Sequence, residues 1–428
     1  MTGTVVIDCQ LGDAGKGKVI DWILSQGGYS ACVRFNGGPN AGHTVKVGDK
    51  TYKFHQLPSG VLHNDIYSII GNGCVIDPAG IEYELAQLEK EGIKPILKVS
   101  DRAHVILPWH VLEDMYLGEL RRKNAGLKPT EMGSLTSSTT GRGIGPCYAD
   151  KSSRIGIRVE DLSDYDRLKA KLAFLASLKE PYLKILGRPV DPEPESIERL
   201  ADRLYMFGLS WEDSISDTGQ FLNDALKRGK KVLFEGAQSV HLDIDSGVYP
   251  YSTSSTCVAA GASSGTGISP KYLSEIIGVV KAYTSRAGDG AFPTELRDER
   301  ADVLRELGNE YGTTTGKPRR VGFLDLVMVK TAVEMNGVDV LALTRMDTLT
   351  EFGRSQEMTR IPVCKAYEFK GRTITRFPTM NMLSFMQPVY DYPQGWDEYI
   401  RYVEHYLGIP VRFVGTGPER NDIEERKP

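Results

Sequence analysis

Paired cysteines, long apolar runs and an excess of charge of either sign are all missing from this sequence, and each absence excludes a class of protein. Six cysteines, Cys9, Cys32, Cys74, Cys147, Cys257 and Cys364, are scattered singly through 428 residues. Zinc sites and redox dithiols need close pairs, so reduced and mostly buried thiols are expected. No run of about eighteen apolar residues occurs, which leaves no candidate membrane helix. Lysine and arginine total 52 against 56 aspartates and glutamates, a formal net charge of -4, and no long basic run interrupts the mixture. Nucleic-acid binding is therefore not expected. The opening MTGTVVIDCQLGD lacks a basic region followed by an apolar stretch and a cleavage site, so a cytoplasmic location is expected.

What is present is ordinary for a globular protein. Hydrophobic residues make up 40% and charged residues 25% of the chain, enough apolar material for a sizeable core without staples. The length exceeds a typical domain, yet α/β enzymes reach it with loops inserted around one sheet, and a single domain over residues 1–428 is expected. TVVID is a short β-branched run that ends in a glycine-bearing loop, and Val19 to Leu24 then has helical character. Strand, loop, helix is the opening of a mostly parallel α/β sheet. Further buried strands are expected at Ala31 to Phe35, Tyr67 to Ile70, Lys231 to Phe234, Ile276 to Ala282, Val338 to Leu343 and Val411 to Val414. Between about 159 and 228 the pattern changes to charged segments of period 3.6, such as ESIERLADRLYMFG, which read as a helical excursion from the sheet. No internal repeat or low-complexity tract is found.

Chemistry is concentrated in the loops. In Gly12-Asp13-Ala14-Gly15-Lys16-Gly17-Lys18-Val19, three glycines let the backbone approach an anion while a helix N-terminus points donors at it. It only loosely matches a conventional P-loop: four residues separate Gly12 and Gly17, but Val19 stands where a magnesium-binding hydroxyl is expected. Asp13 sharpens the reading, since a carboxylate inside a phosphate loop repels its ligand unless it holds a metal or acts as a base. Asn36-Gly37-Gly38-Pro39-Asn40-Ala41-Gly42-His43-Thr44 follows a strand and can bring His43 near that loop. A lone histidine is more often structural than catalytic, but this one has polar, glycine-rich neighbours. Thr139 to Pro146, Phe234-Glu235-Gly236-Ala237-Gln238 and Tyr311 to Arg320 have similar character: hydroxyls, backbone donors and cations, as phosphates and carboxylates require. In Leu341 to Asp347 a strand runs into an aspartate able to accept two hydrogen bonds from guanine N1 and N2, a pair that adenine lacks. A helix-capping role for Asp347 fits that segment equally well. Gly415-Thr416-Gly417-Pro418 is a second loop able to lie along a base.

Taken together, GDAGKGK, GGPNAGHT, TTGRGIGP, FEGAQ, YPYSTSS, AFPTEL, GTTTGKPRR, LTRMD and GTGP resemble the adenylosuccinate synthetase family, in the family's order and across essentially the whole chain. The resemblance implies a large mostly parallel sheet like that of P-loop NTPases, a homodimer, magnesium, GTP, IMP and L-aspartate. It implies that Asp13 removes the purine N1 proton and ligates magnesium, with the Gly42 carbonyl as a further ligand. His43 would assist as the acid partner, and Lys16 would neutralise the moving phosphoryl. By the same resemblance Asn40, Thr140, Gln238, Thr253 and Lys317 hold the monophosphate nucleotide, and Arg154 reaches it from the other subunit. Thr314, Thr315, Lys317 and Arg319 would grip aspartate. Gly12, Gly15, Lys16, Gly17, Lys18, Arg345, Asp347, Gly417 and Pro418 would bind GTP.

The chain also departs from the family pattern. Leu11-Gly12-Asp13-Ala14 stands where Trp-Gly-Asp-Glu is usual, so the base is kept while its neighbours differ. Lys317 replaces an arginine that usually meets both aspartate and the ribose 2′-hydroxyl, and Arg to Lys at a forked contact is not conservative. Pro39 replaces the histidine of bacterial members, as in archaeal ones. With Lys317 and the ending GPERNDIEERKP, this is similar to phage relatives that act on dGMP, although those usually lack the aspartate present here as Asp13. The leading expectation is adenylosuccinate synthesis from IMP. The rival is 2-aminoadenylosuccinate synthesis from dGMP, and the reading from another class is a GTP-binding regulatory protein without ligase activity.

Overall fold

The computed structural model describes residues 2–124, 139–186, 196–312 and 316–426. Ten strands form the main sheet, in the order Ile423–Glu425, Val411–Gly415, Val340–Thr344, Leu273–Lys281, Gly3–Asp8, Lys231–Glu235, Tyr29–Arg34, Tyr67–Ile70, Ile96–Ser100 and Ile215–Ser216. Every neighbouring pair is parallel except the antiparallel edge pair of Val411–Gly415 and Ile423–Glu425.

Central strands are apolar on both faces because helices cover both, and successive side chains alternate between two cores. Val5, Ile7, Phe234, Leu341 and Leu343 point to one side, where they meet Val329 and Ala332 of helix Leu326–Asn336 and Tyr399 and Val403 of helix Gly395–Leu407. Val6, Leu233 and Ala342 point to the other, against Ile20, Trp22 and Ile23 of helix Lys16–Ser25. Each such fully buried aliphatic side chain stabilises the fold by roughly 1.5–3 kcal/mol, so the two layers hold the sheet rigid beneath its loops. All six cysteines are buried and unpaired.

The six expected strands all form, with boundaries shifted by up to three residues. Helix Lys16–Ser25 begins earlier than its apolar pattern suggests, because Gly15 at φ 92° turns the chain directly into it. The excursion carries helices Tyr165–Ile185, Ile197–Ser210 and Thr218–Lys227, whose N-caps Asp164, Ser196 and Asp217 each accept a backbone N–H. Leu168, Leu172 and Leu175 share a face and pack with Leu200 and Leu204 in a separate core. The excursion is not purely helical: Ile215–Ser216 pairs with Ile96–Ser100 and extends the sheet. Among the described residues no helix is long and apolar enough to cross a membrane.

Parallel strands deliver their following loops to one edge, where ligands of open α/β sheets bind. The loops after Asp8, Arg34, Glu235, Lys281, Thr344 and Gly415 all leave from that C-terminal edge. All but the loop after Lys281 are segments singled out in the sequence.

Candidate active site

The first loop is organised by Asp8, a buried carboxylate at the end of its strand. It accepts hydrogen bonds from the backbone N–H of Gln10 at 2.9 Å and of Ala14 at 3.0 Å, and from Lys16 Nζ at 3.4 Å. Lys16 Nζ also donates to the Gln238 carbonyl, which ties the glycine loop to the loop after Glu235. Helix Lys16–Ser25 has no acidic residue in its first turn and no side-chain cap, so its N-terminal N–H groups are available to an anion.

His43 opens the strand His43–Val47 and stands against this loop; a Cβ added to Gly17 would lie 3.2 Å from His43 Cβ. Its Nδ1 is hydrogen-bonded to Glu235 Oε1, and both side chains are buried. Glu235 also accepts the Ser59 backbone N–H at 2.8 Å and the Ser59 hydroxyl at 3.2 Å. Burial alone would raise the Glu235 pKa, but the His43 imidazole, Arg34 and the Ser59 N–H prevail and hold it at about 2. Burial pushes the His43 imidazole below its usual value, against the pull of Glu235. The resting pair is therefore a neutral imidazole donating Nδ1–H to an ionised carboxylate, a hydrogen bond that fixes the tautomer and stabilises any proton gained at Nε2.

Asp13 has φ 59°, in the left-handed region, and its carboxylate lies 3.0 Å from Arg319 Nε. Arg319 Nη1 is held at 2.9 Å by buried Glu310, which also accepts from Lys281 Nζ at 2.5 Å and Tyr283 OH at 2.6 Å. Asp13, Arg154, Gln238 and Arg345 are four of the seven non-glycine residues with positive φ among those described. Such strain persists where the surroundings over-determine it, commonly at functional sites.

The remaining expected residues are distributed as follows. Gln238 has both side-chain polar atoms buried and without a hydrogen-bond partner. Asn40 accepts the Gly38 N–H at 3.2 Å and donates to the Thr253 hydroxyl at 3.4 Å. Arg345 is the N-cap of helix Met346–Ser355, so Asp347 sits in its first turn and not at the cap, with Oδ1 buried and unpartnered. Lys18 Nζ donates to the Gly417 carbonyl and, at 2.8 Å, to the Asp422 carbonyl. Burial lowers the Lys18 pKa to about 8, against the opposing effect of Asp422 and Asp347.

These loops line a cleft of roughly 2040 Å³. Sites for one drug-sized ligand hold about 300–1,000 Å³, so this cleft has room for two nucleotides and a small third ligand. Gly12, Asp13, Gly15, Lys16, Gly17, Lys18, Asn40, Gly42, His43, Thr140, Gln238, Thr253, Lys317, Arg319, Arg345, Gly417 and Pro418 all line it. Arg154 and Asp347 do not line this cleft: Arg154 is exposed at the C-cap of helix Ile144–Ser153, and Asp347 lies in the first turn of helix Met346–Ser355. Thr314 and Thr315 lie outside the described residues. Sequence reasoning missed Asp8, Glu310 and the role of Glu235, although Glu235 belongs to the FEGAQ segment already marked as chemical.

A parallel sheet whose C-terminal edge carries a glycine-rich strand-to-helix loop, an imidazole on a carboxylate and an unpaired amide fits a nucleotide-dependent phosphoryl-transfer enzyme of the α/β class. A family model described as adenylosuccinate synthetase matches residues 5–424. Adenylosuccinate synthetase of Caldicellulosiruptor bescii is 42% identical, with 98% of each chain covered. That of Listeria innocua serovar 6a is also 42% identical, over 98% of this chain and 97% of the relative. The solved structure of fully ligated adenylosuccinate synthetase from Plasmodium falciparum superposes with TM-score 0.87 at 34% identity, covering 99% of both chains. Cyanophage S-2L succinoaminodeoxyadenylate synthetase, bound to dGMP and dATP, shares the fold at TM-score 0.59 and 19% identity, with 99% of this chain and 95% of that chain covered. The chain belongs to the adenylosuccinate synthetase family.

Proposed function

We propose that the chain joins L-aspartate to IMP at the expense of GTP, giving adenylosuccinate, GDP and phosphate, with residues 1–428 working as one unit. The observation that carries this reading is Asp13, a strained carboxylate placed inside the phosphate loop and opposite Arg319. A 6-oxo purine is a poor electrophile because its oxygen leaves badly. Asp13 takes the N1 proton, which makes O6 a nucleophile, and the γ-phosphoryl passes from GTP to O6 with GDP departing. The aspartate amine then attacks C6, and O6 leaves as part of inorganic phosphate. His43, once it has gained a proton at Nε2 with Glu235 stabilising the imidazolium, donates a hydrogen bond to the moving phosphoryl, and Lys16 offsets its charge.

Asp13, the Gly42 carbonyl and substrate phosphates suit magnesium, which keeps few protein ligands and completes its shell from substrate and water. Among the described residues no group of three or more His, Cys, Asp or Glu is placed to form an all-protein cage, as that mode of binding would have it. Bound there, the cation would neutralise phosphate charge.

Asn40, Thr140, Thr253, Lys317 and the unpaired Gln238 amide receive IMP. Arg319, with Lys317, Thr314 and Thr315, receives aspartate. Arg345, Asp347, Gly417 and Pro418 frame guanine, and Gly12, Gly15, Gly17 and Lys18 hold its phosphates. Exposed Arg154 completes the site of a second copy in a homodimer.

Phosphate release dependent on aspartate and GTP, measured with IMP and dGMP side by side and with products identified by mass, tests this. Turnover of IMP but not dGMP is expected. Turnover of dGMP alone would establish the rival chemistry, against which stand the retained Asp13 and the 19% identity of the phage enzyme. GTP hydrolysis indifferent to aspartate would make the chain a GTP-binding switch.

A further inference from the structure

Arg286 was singled out by no motif, yet it is the most conspicuous charge in the cleft once its partners are counted. It ends the short strand Thr284–Arg286, is 2% exposed, and lines the same cavity as Asp13 and Gln238. Its Nη1 donates to the Ala291 carbonyl at 2.9 Å, and its guanidinium lies 5.7 Å from the centre of the Tyr251 ring. Nε is buried with no hydrogen-bond partner, and among the described residues no carboxylate forms an ion pair with it. Arg320, its register partner on the antiparallel strand Arg320–Gly322, provides the contrast. That guanidinium is held in a fork by Glu295, Nε to Oε1 at 2.6 Å and Nη2 to Oε2 at 2.7 Å.

Two arginines thus face each other across one ribbon, one neutralised and one not. A buried charge without a counter-ion costs several kcal/mol, so an unpaired one facing a cavity implies that its partner arrives with a ligand. Burial lowers the Arg286 pKa to about 10, which leaves the side chain charged at neutral pH. The ligand chemistry is an oxyanion, since the guanidinium fork matches carboxylate and phosphate. Two substrates can supply one. Tyr251 precedes Thr253 on the side assigned to the monophosphate nucleotide, while Arg320 follows Arg319 on the side assigned to the amino acid.

We propose that Arg286 is the anchor of a further substrate-oxyanion subsite in this cleft, taking a carboxylate or phosphate oxygen at its unpaired edge. This rests on the ligase reading above, because the anion is one of that reaction's substrates.

The test is steady-state kinetics of the full chain with IMP, aspartate and GTP varied in turn, for Arg286→Met, which keeps the bulk, and Arg286→Lys, which keeps the charge without the fork. Removing a charge-assisted hydrogen bond should raise KM on the order of tenfold to a hundredfold for one substrate, with Lys partly rescuing. A rise confined to aspartate assigns the carboxylate, and one confined to IMP assigns the phosphate. Unchanged KM values for all three substrates overturn the proposal. So does a lowered Tm with a fall in kcat alone, which would mark Arg286 as a brace for Ala291. If the Met variant does not fold, the Lys variant decides by the same criteria. A parent chain that fails to join aspartate to IMP overturns the ligase reading instead, before any variant is compared.

Discussion

The carboxylate of Asp13 stands 3.0 Å from Nε of Arg319, so the glycine-rich loop near the start of the chain is clamped to the loop after Tyr311 by one ion pair. Arg319 is held in turn by Glu310, which is shared with Lys281. Two acids and two bases balance within this network, and most of it is buried. The carboxylate proposed as the base and the cation of the proposed amino-acid site are therefore positioned by the same contact.

Replacement of Asp13 should remove chemistry and spare the fold. Its side chain is 35% exposed and contributes little to the core. Asn accepts the left-handed backbone at this position, whereas Ala is more strained there, so Asp13→Asn is the cleaner variant and Asp13→Ala the companion. Loss of a general base lowers kcat by about 10²–10⁴-fold. Aspartate-dependent phosphate release should fall by that factor while the circular dichroism spectrum is retained. Unfolding of both variants would contradict the assignment.

Acid should unfold the protein through its buried glutamates. Burial would raise the Glu310 pKa, but Lys281 and Arg319 prevail and hold it at about 2, as Glu235 is held by His43 and Arg34. A folded-state pKa below the ordinary 4.5 means stability that is present above pH 4.5 and lost as pH falls toward 2. Asp325 runs the other way: burial raises it from 3.8 to about 6, so its contribution declines as pH rises through that window. Tm measured against pH should drop steeply below 4.5. Glu310→Gln leaves Lys281 without its counter-ion and should cost about 3–5 kcal/mol at pH 7, with the gap to the parent closing near pH 2. A constant gap across that range would refute the linkage.

How far the sequence reveals this site depends on whether each signal is local. The glycine-bearing loops were legible because backbone approach to an anion demands Gly15 and its neighbours at fixed spacing. The strands through Val5, Phe234 and Leu341 were legible because burial on both faces makes them continuously apolar. Ile96–Ser100, next to the sheet edge, and the edge strand Ile215–Ser216 escaped, since short, part-exposed strands carry neither alternation nor an apolar run. Glu235 was visible as part of a polar loop, but its function as the partner of His43 exists only after two distant strands pair. Arg286 had no signal at all: an arginine after a strand looks solvated until the structure shows its charge buried without a counter-ion.

The orphaned oxygen of Asp347 leads to a nucleotide-specificity test. Oδ1 is buried without a partner in the first turn of helix Met346–Ser355, close enough to Lys18 for their charges to interact. In the proposed GTP site a carboxylate there would accept guanine N1–H and N2–H, and Asp347→Asn replaces one acceptor by a donor. KM for GTP should rise by about tenfold or more, because a charge-assisted hydrogen bond is worth roughly 1.5–3 kcal/mol. KM for IMP should be unchanged. Xanthosine triphosphate, which has an oxygen in place of the guanine amine, should become the better donor for the variant. Unaltered GTP kinetics would remove Asp347 from the guanine site.

Lys18 predicts an alkaline limit on GTP use. Burial brings its pKa from 10.5 down to about 8, so the ammonium that holds the Gly417 and Asp422 carbonyls is half discharged near that pH. Between pH 8 and 10.5 the unfolded chain binds more protons at this site than the folded one, so the Lys18 contribution to stability rises with pH there. Binding runs opposite, since a neutral amine no longer attracts nucleotide phosphate or orders the Gly417 loop. KM for GTP should therefore increase as pH passes 8 while Tm does not fall through this group. Lys18→Arg, which keeps its charge throughout, should shift that limb to higher pH. Superimposable GTP profiles for the parent and the arginine variant would show that another group sets the limit.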